Sequence, residues 1–323
     1  MRKFIALLMT LCLLLGLCGA VSAESKFYHI GILQLVQHPA LDLATEGFMD
    51  AVCEKIGEHN VEFEYQNASG DSNNCAIIAN GFVTAGVDLI MANATPALLA
   101  SANATGDIPV LGTSITNYES AMEIELTAEG ATGLNVSGTS DLAPLDGQAQ
   151  MVKELFPDAK TVGLIYCSAE ANSIFQVKGI EAYLNDLGYE CKQYAFTDSN
   201  DLASVVQSAT ECDVLYIPTD NTAASNAEAI ANVVIPAGKA VVTGEEGICR
   251  GCGVATLTIS YYDIGYQTGL MAADILLNGT DVSTLPIAYA PQFVKKYNAE
   301  NAAALGITIP EGYEAITGPV EGE

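Results

Sequence analysis

The chain has no tryptophan and only three histidines among its 323 residues, and its cations are few: 12 Lys and Arg against 39 Asp and Glu, a formal net charge of −27. Each shortage removes a class of function. An acidic surface of that size repels nucleic acid and anionic membrane, which argues firmly against a DNA-binding regulator. His29, His38 and His59 are too scattered to complete a zinc site with the one close cysteine pair, Cys249 and Cys252. Catalytic signatures are missing as well. No Gly-x-Gly-x-x-Gly turn or Walker-type phosphate loop follows an early strand, and there is no Gly-x-Ser-x-Gly elbow. His38 alone stands at the end of a strand-like run, without a second residue to make it a general base; a polar loop or helix-start residue is the simpler reading. An enzyme is therefore not expected, nor a cofactor. After the first 23 residues no apolar run is long enough to span a bilayer.

What is present begins with an export signal at residues 1–23. Arg2 and Lys3 precede an apolar stretch from Phe4 to Leu17, and Val21-Ser22-Ala23 offers small residues for cleavage before Glu24. A second processing is open: lipidation at Cys18, although the bulky Leu17 before it favours simple cleavage. The mature chain is expected outside the cytoplasm, free or tethered only at its N-terminus. Loss of Arg2 and Lys3, and of no acid, takes the charge from −27 to −29. Loss of Cys12 and Cys18 from the nine cysteines leaves an odd number, so at least one thiol has no partner in the chain. Cys249-Arg250-Gly251-Cys252 can be a small disulfide loop, a redox dithiol or half of a metal site, a structural or incidental pair being favoured over a redox or metal role. Cys53 falls in a helical pattern and is expected in the core.

From residue 28 the sequence alternates strand and helix patterns. Strands are expected at 28–34, 61–65, 87–91 and 108–112, with helices at 41–56, at 75–85 and from Pro96. The programme restarts after Pro157, with strands at 161–166, 190–196, 214–217 and 240–243 and helices at 174–187, 202–210 and 223–234. Such alternation implies parallel sheets covered on both faces. Its repetition implies an α/β fold of two doubly wound parallel-sheet lobes, with no low-complexity linker between them.

In open parallel sheets a ligand sits beyond the C-terminal ends of the strands, where the loops carry polar groups. In the first half those loops hold Gln34, His38 and Pro39, then Asn67 to Asp71, then Thr95 and Pro96, then Thr113 and Ser114. In the second half they hold Ser168 and Glu170, then Asp220 and Asn221, then Glu245. Thr95, Ser114, Ser168 and Asp220 can equally be helix caps, which helix starts demand anyway. Seven polar loops at one edge are harder to dismiss as capping alone, because caps also present N–H groups to a ligand carboxylate.

These residues, in order, resemble the ABC transporter substrate-binding family that includes tryptophan/tyrosine-type binding proteins. The likeness is carried by Gly31 to Gln34 with His38 to Asp42, by Tyr65 to Asp71, by Ala94 to Ala97 and by Asn135 to Asp141. Pro218 to Thr222, Gly244 to Gly247 and Tyr261 to Gly265 continue it. The resemblance implies a type I periplasmic-binding-protein fold whose lobes are joined by crossing segments, near Gly138–Leu142 and Thr258–Tyr262. Lobe 1 would comprise 24–139 and 262–285, and lobe 2 140–261 and 286–323. Thr139, Ser140, Asp141 and Ser260 join the candidate ligand residues at the crossings. Cys167, Cys249, Cys252 and Ser260 depart from the pattern, Ser260 because some members carry an acid there.

The function implied is an extracytoplasmic, monomeric receptor serving an ABC permease and its ATPase subunits. It would bind a small solute between the lobes by hinge closure. An amino acid is favoured, and an aromatic one among these. Its carboxylate suits Thr95, Ser114, Thr139 and Ser140; its ammonium suits Asp141, then Asp220, then Glu245. A sugar, nucleoside or signal-molecule receptor is the alternative, weakened by the lack of aromatics in the loops. A redox enzyme using Cys249 and Cys252 is the remote one.

Overall fold

The computed structural model describes residues 26–317; the expected export signal at residues 1–23, with Cys18, lies outside the described residues. Five strands open the chain: β1 (Tyr28–Gln34), β2 (Val61–Asn67), β3 (Leu89–Asn93), β4 (Val110–Ile115) and β5 (Val136–Ser140). Five more follow: β6 (Thr161–Cys167), β7 (Glu190–Phe196), β8 (Val214–Ile217), β9 (Val241–Thr243) and β10 (Ala255–Thr258). They build two sheets of one topology, β5-β4-β3-β1-β2 and β10-β9-β8-β6-β7, with every neighbouring pair parallel. In each, the order reverses beside the first strand, which opens a crevice at the strands' carboxyl ends.

Both faces of each sheet are buried, so the central strands read as unbroken apolar runs rather than alternating ones. In β3, Ile90 and Ala92 enter one core while Leu89 and Met91 enter the core on the opposite face. In β8, Leu215 and Ile217 do the same against Val214 and Tyr216. Truncating such a leucine to alanine is expected to cost about 2–5 kcal/mol.

The helices that bracket the crevice have legible ends. Pro39–Ile56 begins with proline at its first turn and stops at Gly57, and Ser72–Ala85 is capped by Asp71 and closed by left-handed Gly86. Tyr261–Asn278, capped by Ser260, runs along Pro39–Ile56 so closely that a methyl group at Gly265 would overlap the Ala44 carbonyl oxygen. That contact fixes the second crossing against the first lobe.

Three differences from the sequence expectation have local causes. β3 and β4 begin two residues later than expected, because Val87 and Ile108 pack in the turns before them. The helix expected at 223–234 is two, Asn221–Ser225 and Ala227–Val234, broken at Asn226, whose amide bonds the Thr222 carbonyl. The C-terminal segment is also divided. β11 (Ala288–Tyr289) pairs with β5 in the first sheet, whereas β12 (Val294–Tyr297) and β13 (Glu314–Ala315) extend the second beside β10. Residues 286–289 therefore belong with lobe 1, not with lobe 2 as expected. Ile287 packs in the first core and donates to the Gly130 carbonyl.

Candidate ligand cleft

The chain passes between the sheets three times: after β5 at 141–144, after β10 at 259–260, and between β11 and β12 at 290–293. The carboxyl ends of the two sheets face each other and touch. His38 Nε2 lies 3.3 Å from Asn221 Oδ1, and Gln176 Nε2 lies 3.4 Å from Thr116 Oγ1. Tyr261 donates to Asp141 at 3.0 Å, which joins the first crossing to the second.

On the first lobe, most of the expected residues are bonded within their own edge. Gln34 donates to Asp42 at 2.6 Å and accepts from Thr45 at 2.7 Å, so it braces the start of the Pro39–Ile56 helix and has no free amide for a ligand. Pro39 supplies the first turn of that helix, and Pro96 the first turn of Thr95–Ala104. Thr139 bonds Thr113, Thr268 and the Ile264 carbonyl, while Ser140 donates to the Thr116 carbonyl. Gly138 is required just before them: with φ at 138°, it brings β5 so near β4 that any side chain would overlap the Gly112 carbonyl. Thr95 faces the second lobe near Ala171 and Asn172. Ser114 has a positive φ of 58° where β4 bulges against β5, and its buried hydroxyl has no partner among the described residues.

On the second lobe the edge is carboxylate. Glu170 accepts from the Thr222 N–H and hydroxyl, from the Asn221 N–H and amide, and from the Asn172 amide, at 2.7–3.0 Å. Asp220 accepts from the Cys167 N–H at 2.6 Å and caps the next helix through the Ala223 N–H at 2.8 Å. Glu245 caps Glu246–Gly251 through the N–H groups of Gly247 and Ile248. Backbone N–H groups thus engage both oxygens of Asp220 and of Glu245, although only one Asp220 oxygen caps a helix. Asp141 differs: its two partners are hydroxyls, Thr116 at 3.2 Å and Tyr261 at 3.0 Å. Ser168 and Ser260 are not in the enclosed part. Both are exposed, one bonded to the Phe196 carbonyl and the other capping Tyr261–Asn278.

Sequence reasoning missed Thr116, Gln176 and Tyr261, which meet Asn172 and Thr219 of the polar strand-end loops at the centre. Gln176 donates to the Thr219 carbonyl at 3.1 Å and accepts from the Thr219 N–H at 3.1 Å. Asn172 closes the polar loop that holds Ser168 and Glu170, and Gln176 lies one helical turn beyond it; that spacing was the available signal.

Burial sets the electrostatics. Desolvation pushes Asp141 up to about 6, and Asp220 and Glu245 up to about 7; the neighbouring Glu170 charge adds to the effect on Asp220. Desolvation pushes His38 down to about 4, against its bond to Asn221, so the ring is neutral. Cations stay at the rim. Glu246 holds Lys296 at 2.6 Å and Arg250 at 2.9 Å beside an open groove of about 380 Å³.

The possible disulfide is not formed: Cys249 and Cys252 are both free, and both are buried. Their sulfurs are engaged apart, Cys249 with Thr243 and Cys252 with the Ile248 carbonyl at 3.4 Å. Burial pushes both thiols far above the usual range, opposite to what a redox dithiol needs. Among the described residues no group of three or more His, Cys, Asp and Glu side chains could hold a metal.

A family model described as ABC transporter substrate binding protein matches residues 29–317. The Tyrosine-binding protein of Clostridioides difficile (strain R20291) is 35% identical over 268 residues, 82% of this chain and 76% of that protein. The ABC domain from Streptococcus pneumonia in complex with L-Trp superposes with a TM-score of 0.85 at 32% identity, covering 90% of this chain and 100% of that one. The ligand-free, open structure of a substrate binding protein with adhesive properties from Clostridium difficile gives 0.68 at 35% identity, covering 90% and 99%. Identity is slightly higher to the open structure, yet the overlay is better on the complex. The difference matches the bonds that join the lobes here.

Proposed function

Because the chain belongs to the ABC transporter substrate-binding protein family, we propose that it is the exported receptor of an importer, taking an amino acid, with an aromatic side chain favoured, between its lobes. It would work outside the cytoplasm, deliver to a permease driven by ATPase subunits, act as a monomer and catalyse no reaction. The observation that carries this reading is the interlobe centre. There buried carboxylates and unpartnered polar atoms from both lobes converge, while Lys296 and Arg250 are held on Glu246 at the rim. A negative field with spare acceptors suits an ammonium, while the Thr95 hydroxyl at a helix start and the Ser114 hydroxyl at the β4 bulge suit a carboxylate. One relative named as a tyrosine-binding protein and one solved in complex with L-Trp favour an aromatic side chain.

Closure follows from the same groups. In the open form, the lobes' polar edges would be hydrated. A ligand that bonds both edges at once stabilises the closed arrangement by its differential affinity for it. Asp141 and Tyr261 lie on two of the crossings, so their bond reports the hinge setting.

The absence of tryptophan provides a clean assay, since free tryptophan would be the only indole in the sample. Its emission is expected to shift to the blue on binding. Calorimetry of ligand-stripped protein against the twenty amino acids is expected to give heat with tyrosine or tryptophan. Silence with all twenty would end the amino-acid reading.

A further inference from the structure

Two buried acceptors at the interlobe centre, His38 Nδ1 and Asn172 Oδ1, have no partner among the described residues, and one carboxylate fixes the chemistry of both. Glu170 Oε2 accepts from Asn172 Nδ2 at 3.0 Å and from Asn221 Nδ2 at 2.7 Å. Asn172 Nδ2 is also directed at the Thr219 carbonyl, 3.2 Å away. Flipping that amide would set its oxygen against a carboxylate and a carbonyl, so Oδ1 is left as a pure acceptor. Asn221 is oriented in the same way and turns its own Oδ1 to His38 Nε2. Nε2 must therefore carry the ring proton, and Nδ1 of the neutral imidazole is a bare lone pair. One acceptor belongs to the first lobe and the other to the second.

Buried acceptors left unpaired are unfavourable, and a native site that keeps two of them at an interlobe centre is complementary to a donor. We propose that His38 Nδ1 and Asn172 Oδ1 together accept hydrogen bonds from the ligand's protonated amine, with Glu170 as the positioning residue behind them. The ammonium then meets neutral acceptors oriented by a buried carboxylate, and Asp220 and Glu245 keep to capping helices. This inference rests on the amino-acid reading above and adds which atoms select the amine. Ligand binding would also link the lobes, since each lobe supplies one acceptor.

The test is calorimetry of wild type, Asn172→Leu and His38→Phe with L-tyrosine, L-tryptophan and 3-(4-hydroxyphenyl)propanoate, which is tyrosine without its amine. Each substitution is expected to weaken the amino acids by roughly tenfold to hundredfold, the range for a bond to a charged group, and to leave the propanoate nearly unchanged. Equal weakening of both ligand types, or of neither, would overturn the assignment and leave the receptor reading standing. No binding of any amino acid by wild type would overturn both. A measurement on the unaltered chain guards against misfolded variants. With ¹⁵N-labelled histidine, Nε2 of His38 is expected to be protonated throughout and Nδ1 to move upfield when L-tyrosine is added. A protonated Nδ1, or one that ignores the ligand, contradicts the proposal.

Discussion

The two lobes share one strand order and differ in how they finish the edge that faces the cleft. The first ends its strands in neutral groups, Gln34, His38, Asn93, Thr113 and Ser114, most of which bond one another or the adjoining helix. The second buries three carboxylates there, Glu170, Asp220 and Glu245, each held by backbone N–H groups near a helix start. Helix N-termini make buried carboxylates tolerable, since unsatisfied N–H groups and the helix dipole both favour negative charge. One topology thus carries an acidic jaw and a jaw that is neutral up to Asp141, the carboxylate at the crossing just after β5. The acidic jaw supplies the field, and the neutral jaw can approach it without repulsion.

The largest effect that would test this contrast is Glu170→Ala, which strips the acceptor from three side chains and two backbone N–H groups. It is expected to destabilise the protein by roughly 3 kcal/mol or more, while Gln34→Ala on the neutral jaw should cost about 1–3 kcal/mol. Urea unfolding of both variants decides; equal losses would mean that the two edges are energetically alike.

The pH dependence should differ in sign between the jaws. Asp220 and Glu245 have folded values near 7, above their ordinary 3.8 and 4.5. The folded state therefore binds their protons more tightly, and stability falls as pH rises from about 4 through about 7. His38, lowered from 6.5 to about 4, works the other way: its contribution is lost as pH falls through that window. Melting temperatures between pH 4 and 8 should show a flatter decline toward neutral pH for Asp220→Asn, and a flatter decline toward acid for His38→Gln. Unchanged slopes in both variants would remove the electrostatic contrast.

A smaller effect is expected at the hinge that joins the jaws. Tyr261→Phe deletes the hydroxyl bonded to Asp141, a loss of about 1 kcal/mol that should weaken ligand binding roughly fivefold. Small-angle scattering should show a more open ligand-free population. Wild-type scattering and affinity would mean that this bond does not bias closure. The smallest effect concerns the acidic lobe's core. Cys249 and Cys252 should resist thiol reagents in the native state and react only on unfolding, after the partly exposed Cys53 and Cys191. Rapid native labelling of Cys249 would contradict its burial.

Much of the fold was legible because buried parallel strands are continuous apolar runs and their helices carry caps. β5 was not legible as a strand, since Val136-Ser137-Gly138-Thr139-Ser140 has no such run. It is a strand because Ser137 and Thr139 place their hydroxyls on the Leu285 and Ile264 carbonyls, contacts more than 120 residues away in sequence. The cleft was legible as a set of loops but not as roles. Asp220 and Glu245 are carboxylates at strand ends whether they cap a helix or meet a ligand, and only the position of the next N–H groups separates the two.

The sequence by itself determined the acidic charge, the repeated α/β programme, the polar strand ends and the family likeness, because composition and hydrophobic period act locally. Only the tertiary structure decided that 286–289 join the first sheet and that the cysteine pair is free. It alone showed that Glu170 orients Asn172 and, through Asn221, His38. Those outcomes depend on which groups from distant segments compete for the same hydrogen bonds once water is excluded, and that competition does not exist until the lobes have formed.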